Sequence, residues 1–143
     1  MRALLDTNLL IAYLLAPDRQ GTVQSVVEAA FEGKYTFLLP VEVIRELKEK
    51  LATKKYLIKY ISGKTAEKFI TSLSVIASQI PAITEPIPLI GRDLKDDFLL
   101  AYAVVGEADY LVSGDHDLTV LKEVGKVKII SPATFLSILK KEK

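Results

Sequence analysis

Two short apolar runs in this chain each end on an acidic residue, and this repetition has the clearest chemical meaning. Residues 3–5 lead into Asp6, and residues 110–114 lead into Asp115. Apolar runs bounded by turn residues predict buried strands, and ligands of open α/β sheets bind outside the carboxyl ends of the strands. Carboxylates that converge there without basic partners repel each other unless a cation lies among them. The sequence therefore predicts a divalent-metal site.

Composition narrows the kind of site. The chain has 143 residues, of which 50% are hydrophobic and 26% charged, so we expect one globular domain spanning residues 1–143. It has no cysteine and a single histidine, His116. That excludes disulfides, thiolate zinc sites and cysteine nucleophiles, and it disfavours Ser-His-Asp chemistry. Carboxylate oxygens remain as ligands, and they suit magnesium or manganese.

The sequence predicts a cytoplasmic protein that does not associate with membranes. No stretch approaches the roughly 20 uninterrupted apolar residues that a membrane helix needs. The opening residues are briefly basic and then apolar, but Asp6 and Asn8 end this run too early for a signal peptide.

Charge is segregated along the chain although the net charge is only +1. One region is basic: Arg45, Lys48, Lys50, Lys54, Lys55, Lys59, Lys64 and Lys68. Another is acidic: Asp93, Asp96, Asp97, Asp109, Asp115 and Asp117. The basic run fits a solvated helix face or a surface that follows phosphates equally well, and the sequence leaves both interpretations open.

Apolar periodicity and turn residues predict strands that alternate with helices. The predicted strands are 2–5, 35–39, 110–112 and 127–130, with a short one near 87–90. The predicted helices are 8–15, 22–32, 41–57, 65–80, 94–107, 118–123 and 132–141. This alternation is typical of right-handed βαβ crossovers, so it predicts an α/β fold with a mostly parallel sheet.

The acids at the predicted strand ends also have structural interpretations. Asp6, Thr7 and Asn8 are all good helix N-caps, but capping does not require the whole trio after a buried strand. We therefore favour a functional Asp6, with Asn8 orienting it or binding a metal-bound water. Asp115 follows its strand directly and is a stronger ligand candidate than Asp117, which could cap the next helix.

The acids within predicted helices are more ambiguous. Glu46 could pair with Lys50 one turn along its helix, and the pattern alone does not choose between Glu46 and Glu42. Asp96 and Asp97 open a helix, where the helix dipole favours negative charge, and Asp93 could be the cap itself.

Together these segments resemble the PIN-domain nucleases. The opening Asp6-Thr7-Asn8 is similar to the start of that family, and residues 39–47, LPVEVIREL, resemble the segment that carries its second acid, which falls on Glu46. Residues 92–101, RDLKDDFLLA, resemble the third block, whose leading acid falls on Asp96. Residues 108–118, ADYLVSGDHDL, resemble the last block, with acids at Asp115 and Asp117. The resemblance spans nearly the whole chain and is strongest to the toxin-component branch.

The resemblance implies a three-layer α/β/α sandwich and hydrolysis of RNA phosphodiesters by water activated with one or two Mg²⁺ or Mn²⁺ ions. It implies Asp6, Asp96 and Asp115 as principal ligands, Glu46 on a second metal or a metal-bound water, and Asp117 as an auxiliary ligand. Asn8 and Ser113 are expected to orient these carboxylates. His116 is expected to be an exposed turn residue.

Two other functions compete with this prediction. A haloacid-dehalogenase-like phosphatase also places an aspartate after its first strand, but it needs a second aspartate where this chain has Asn8. A non-catalytic RNA-binding or scaffold module with the same architecture would keep the acids without using them.

The toxin hypothesis predicts a small antitoxin partner, and a homodimer is also expected. The apolar faces of the predicted helices 41–57 and 65–80 motivate a partner, because they could exceed what one small core hides. The same faces could equally be core or a homodimer surface. The sequence does not identify the RNA target, since it contains no base-reading module.

Overall fold

The computed structural model describes residues 1–83 and 94–141, with the side chains of 94–97 outside the description. Its strands are β1 (Arg2–Leu5), β2 (Thr36–Pro40), β3 (Ser78–Ile80), β4 (Tyr110–Val112), β5 (Glu123–Val124) and β6 (Val127–Ile130). Its helices are α1 (Thr7–Leu15), α2 (Thr22–Phe31), α3 (Val41–Thr53), α4 (Lys55–Tyr60), α5 (Gly63–Ile76), α6 (Leu94–Val105), α7 (His116–Thr119) and α8 (Pro132–Lys141).

The described strands form one sheet in the order β3-β2-β1-β4-β6-β5, and only the β5–β6 pair is antiparallel. The chain builds outward from β1 through β2 to β3, then returns to place β4 on the other side of β1. The strand order therefore reverses between β1 and β4. In a doubly wound sheet this is the point where a crevice opens at the carboxyl ends of the strands.

The central strands are buried on both faces. Ala3, Leu4 and Leu5 of β1 are at most 1% exposed, and Leu111 and Val112 of β4 are fully buried. Because successive side chains of a strand point to opposite faces, continuous burial means that helices cover both faces of the sheet. The predicted α/β fold, a three-layer sandwich around a mostly parallel sheet, is confirmed.

The predicted helix 41–57 is wrong in one respect, because it is two helices. Lys54 lies between α3 and α4 with an extended backbone, φ −78° and ψ 114°. Leu51 and Leu57 are both buried, yet six residues in one straight helix would place them about 120° apart around the axis. The break at Lys54 turns the chain so that Leu57 and Ile61 also enter the core.

The other differences involve short elements that depend on tertiary pairing. The predicted helix 65–80 ends at Ile76, and residues 78–80 instead form β3, which pairs in parallel with β2. The predicted helix 118–123 lies earlier, at α7, and β5 forms a small antiparallel pair with β6. The strand predicted near 87–90 lies outside the described residues.

The apolar faces that motivated a partner are largely core. Val43, Leu47 and Leu51 of α3 are buried within the chain, as are Phe69 and Leu73 of α5. Of the interpretations that the sequence left open for these faces, core accounts for the buried residues, and the partner stays a prediction. Within the described ranges, no helix has the length and apolar character needed to cross a membrane.

Candidate active site at the reversal of strand order

The predicted acids at the strand ends come together where the strand order reverses. Leu5 of β1 is in register with Val112 of β4, so Asp6 and Ser113 follow side by side. The Asp6 amide donates to the Val112 carbonyl at 3.0 Å, and the Ser113 amide donates to Ile130 of the next strand at 3.0 Å. The sheet ladder thus extends one residue beyond the strands and fixes the backbone beneath both side chains.

Ser113 links the two strand-end acids. Its fully buried hydroxyl donates to Oδ2 of Asp6 at 2.8 Å and accepts the Asp115 backbone amide at 3.0 Å. The other Asp6 oxygen, Oδ1, accepts the amide of Asn8 at 3.3 Å, which also caps α1. Both Asp6 oxygens are therefore oriented, and the capping interpretation and the functional interpretation are compatible.

The surroundings of the Asp6 carboxyl make its ionised form energetically unfavourable. Burial raises its pKa above the ordinary 3.8, and the nearby carboxylates of Glu46 and Asp115 raise it further, while the bonds from Ser113 and Asn8 lower it. Burial dominates because a charged carboxylate loses hydration that two hydrogen bonds replace only in part. Positive charge added beside Asp6 would relieve this cost.

Glu46 and Glu42, which the helical pattern alone does not distinguish, have different tertiary neighbours. Glu46 interacts electrostatically with Asp6, whereas Glu42 interacts with the Tyr102 hydroxyl. The Lys50 ammonium lies 4.0 Å from Oε1 of Glu46 and 3.5 Å from Oδ1 of Asn8. The Glu46–Lys50 pair predicted from spacing thus exists, and it lies at the rim of the acid group.

The turn after β4 presents its acids to solvent. Asp115 is exposed and caps α7 through Oδ1, which accepts the Asp117 amide at 2.9 Å. The cap is therefore Asp115 and not Asp117, because α7 begins two residues earlier than predicted. His116 and Asp117 are exposed in the first turn of α7.

Comparison with known families accounts for this arrangement. The sequence matches the PIN domain family over residues 2–117, which is most of the chain and includes every predicted acid. The chain belongs to the PIN domain family. Members of that family are generally nucleases. Among curated protein sequences, none matches this chain significantly.

A solved structure shares the fold at low sequence identity. It is described as the crystal structure of VapBC2 from Rickettsia felis bound to a DNA fragment from their promoter. The similarity has a TM-score of 0.60 at 13% identity, and it covers 92% of this chain and 98% of the matched chain. At this identity the likeness establishes the fold of the PIN domain and nothing finer.

The third predicted acidic block of this PIN domain is only partly described. Asp96 and Asp97 lie in the first turn of α6, but their side chains are outside the described residues, as is the whole of Asp93. Among the side chains that are described, no three His, Asp or Glu groups form a cluster tight enough to hold a metal ion. Asp6, Glu46 and Asp115 are therefore neighbours in electrostatic range, and not a closed coordination shell.

The donor set of this PIN domain nevertheless fits a hard divalent cation. Asp6, Glu46 and Asp115 supply only carboxylate oxygens, which Mg²⁺ and Mn²⁺ prefer. The one described ion pair at the site is that of Lys50 with Glu46, at 4.0 Å. Burial is the main reason that the pKa of Asp6 is raised, and the negative charges of Glu46 and Asp115 add to it.

One site feature of the PIN domain was not anticipated from sequence. Thr7 is fully buried, and its hydroxyl has no hydrogen-bond partner among the residues described. The local pattern around Thr7 indicates only a helix cap, and nothing in it distinguishes a buried hydroxyl from an exposed one.

Proposed function

We propose that this protein is a ribonuclease that hydrolyses RNA phosphodiester bonds with Mg²⁺ or Mn²⁺. The observation that carries the proposal is the buried, oriented carboxylate of Asp6 at the reversal of strand order, with Glu46 and Asp115 within electrostatic range. When bound, the cation would neutralise the phosphodiester and activate a water for attack.

The roles of the individual residues are part of the proposal. Asp6, Asp96 and Asp115 are proposed as the principal metal ligands, with Glu46 on a second ion or its water and Asp117 auxiliary. Ser113 holds the orientation of Asp6, and the Asn8 amide holds its other oxygen. Lys50 stands at the rim, where an ammonium group attracts an anionic strand.

The proposal is tested by a metal-dependent cleavage assay on single-stranded RNA. The wild type is compared with Asp6→Asn and with a matched control, Asp18→Asn, which removes an exposed acid beyond the far end of α1. We expect the wild type and the control to cleave RNA only with Mg²⁺ or Mn²⁺. The cleavage rate of Asp6→Asn should be at least 100-fold lower. Equal background from all three would instead favour the non-catalytic RNA-binding module.

Only one feature supports the phosphatase alternative, namely the aspartate that follows the first strand. Its second aspartate is replaced by Asn8, whose amide cannot donate a proton as a general acid. Membership of the PIN domain family also places the chain in a different class.

The biological setting is proposed as a toxin–antitoxin pair, with this chain as the toxin acting in the cytoplasm as a single domain. The likeness of fold to a chain of the VapBC2 structure supports this setting. A small antitoxin protein is the expected partner, and a homodimer the expected assembly. A neighbouring reading frame whose product copurifies with this chain would support the pair; the absence of such a frame would contradict it and favour a free-standing nuclease.

A further inference from the structure

Helix α4 carries a basic and aromatic surface that the catalytic proposal does not use. It consists of Lys55, Tyr56, Lys59 and Tyr60 together with Lys54, which directly precedes the helix, and we call it the Lys/Tyr ridge. All five are exposed, with Tyr56 at 59% and Tyr60 at 69%. Two tyrosines this accessible are unusual on a short helix, because a phenol ring normally packs its apolar face against the protein.

The arrangement of the ridge follows from the helix period. Leu57 and Ile61 are buried and anchor one side of α4 in the core. Tyr56 and Tyr60 are four residues apart, so their side chains leave the helix only about 40° apart on a shared side. Lys55 and Lys59 are also four residues apart and form the outermost row. The two rows run parallel, with rings beside ammonium groups.

Contacts within the ridge leave its charge uncompensated. The Lys59 ammonium lies 5.6 Å from the centre of the Tyr60 ring. Within the described part of the chain, Lys54, Lys55 and Lys59 form no ion pair with a carboxylate. Unpaired lysines beside exposed aromatic rings form a surface suited to binding single-stranded nucleic acid, because its phosphates attract cations and its bases stack on rings. A solvated helix face explains the lysines but not the exposed rings.

The ridge lies within reach of the candidate active site. Helix α3 connects them, with Glu46 near its middle, Lys50 in its last turn and Lys54 directly after its last residue. Glu46 and Lys54 are eight residues apart, which is roughly 12 Å along a helix axis. A strand of a few nucleotides spans that length, since each nucleotide advances a stacked strand by about 3.4 Å along its axis. Lys50 provides an intermediate positive charge along this path.

We propose that the Lys/Tyr ridge is a binding subsite for single-stranded RNA, in which bases stack on Tyr56 and Tyr60 and phosphates meet Lys54, Lys55 and Lys59. The subsite deepens the proposed ribonuclease function and rests on it. It reads no base identity, because stacking accepts every base. It would hold the strand on one side of the scissile phosphate and select unpaired RNA, since bases in a duplex are not available to stack.

The test measures binding at a disabled catalytic centre. The full-length Asp6→Asn protein in EDTA is titrated with a fluorescein-labelled 12-nucleotide oligouridine and with a matched abasic 12-mer. Adding Tyr56→Leu and Tyr60→Leu together is expected to weaken oligouridine binding roughly 10- to 100-fold and to leave abasic binding unchanged. The pair Tyr56→Phe and Tyr60→Phe keeps both rings and is expected to restore binding.

A second pair of variants separates charge from stacking. Lys55→Gln with Lys59→Gln should weaken the binding of both oligomers. It should also reduce the slope of log affinity against log salt concentration by about 1.4, as expected for two single-strand phosphate contacts. The matched control is Lys126→Gln with Lys128→Gln, two exposed lysines near the opposite edge of the sheet, where Lys128 pairs with Tyr110 at the start of β4. The control should leave binding unchanged.

Two results would overturn the subsite. One is oligouridine affinity that stays the same in the leucine variants. The other is a dimer in analytical ultracentrifugation that the leucine variants dissociate while RNA affinity is unchanged, which would make the ridge a contact between copies. Since binding is measured without cleavage, a protein that binds through the ridge but never cleaves RNA would refute the proposed function and leave the subsite standing.

Discussion

The Ser113 hydroxyl donates a 2.8 Å hydrogen bond to Oδ2 of Asp6 across 107 residues of sequence. The Ser113 hydroxyl oxygen also accepts the Asp115 amide at 3.0 Å, so one buried group orients the first acid and fixes the backbone of the last. Because Ser113 and Asp6 follow paired residues of β4 and β1, the bond depends on the register of those strands. The geometry of the site is therefore a property of the sheet.

Removing the charge of Asp6 is expected to stabilise the metal-free protein. Asp6→Asn in EDTA should melt at a higher temperature than wild type near pH 7.5, because burial makes the charged carboxylate costly. The raised pKa means that the folded state binds the proton more tightly than the unfolded state. Asp6 therefore favours folding below its ordinary value of 3.8, and this contribution disappears as the pH rises through the folded-state pKa.

The pH series and the metal response check this prediction. Thermal melts from about pH 3 to pH 8 should show the advantage of Asp6→Asn shrinking in acid, where wild-type Asp6 is also neutral. Mg²⁺ or Mn²⁺ should raise the melting temperature of wild type and of Asp18→Asn, but not of Asp6→Asn. If Asp6→Asn were less stable than wild type at neutral pH, the buried charge of Asp6 would not be destabilising.

Ser113→Ala is expected to raise the pKa of Asp6 in the metal-free protein. The donated hydrogen bond stabilises the charged carboxylate and lowers its pKa, so its loss leaves the effect of burial less opposed. Carbon-13 NMR of the Asp6 carboxyl measures the titration directly. The variant should also lose roughly 10- to 100-fold in metal-dependent cleavage, as is typical when a group that orients a ligand is removed.

Ser131→Ala is the matched control for that experiment. Ser131 also accepts a backbone amide through its hydroxyl, from Thr134 at the start of α8, but it does not contact Asp6. It should leave the Asp6 titration unchanged. If Ser113→Ala shows the wild-type titration, the bond does not stabilise the carboxylate, and its role is confined to the Asp115 turn.

The break between α3 and α4 predicts that truncating two neighbouring apolar side chains will destabilise the protein by very different amounts. Leu57 is fully buried, whereas Ile58 is 50% exposed. Leu57→Ala should lower the free energy of unfolding by about 2–5 kcal/mol, and Ile58→Ala should change it by less than about 0.5 kcal/mol. Urea denaturation measures both. Similar costs for the two would indicate a continuous helix that faces the core differently.

Local pattern predicted much of the fold because those elements depend on nearby residues. Strand β1 ends where Asp6 interrupts the apolar run, and α8 has the predicted bounds of Pro132 and Lys141, since proline suits a first helical turn. The pattern failed at Ser78–Ile80, where pairing with β2 makes a strand from residues that continue a helical periodicity. It failed also at Lys54, where the positions of Leu51 and Leu57 in the core, and not helix propensity, end α3.

The sequence by itself determined the chemistry that is available: carboxylates without cysteine and with one histidine, at the ends of apolar strands. Only the tertiary structure decided which of them meet. It placed Glu46 in electrostatic range of Asp6 and Glu42 beside the Tyr102 hydroxyl, and it put the hydroxyl of Ser113 on the Asp6 carboxylate. Residue type fixes which ligand atoms and charges exist, whereas the distance between residues far apart in the chain is set by strand order, register and packing, which no local pattern encodes.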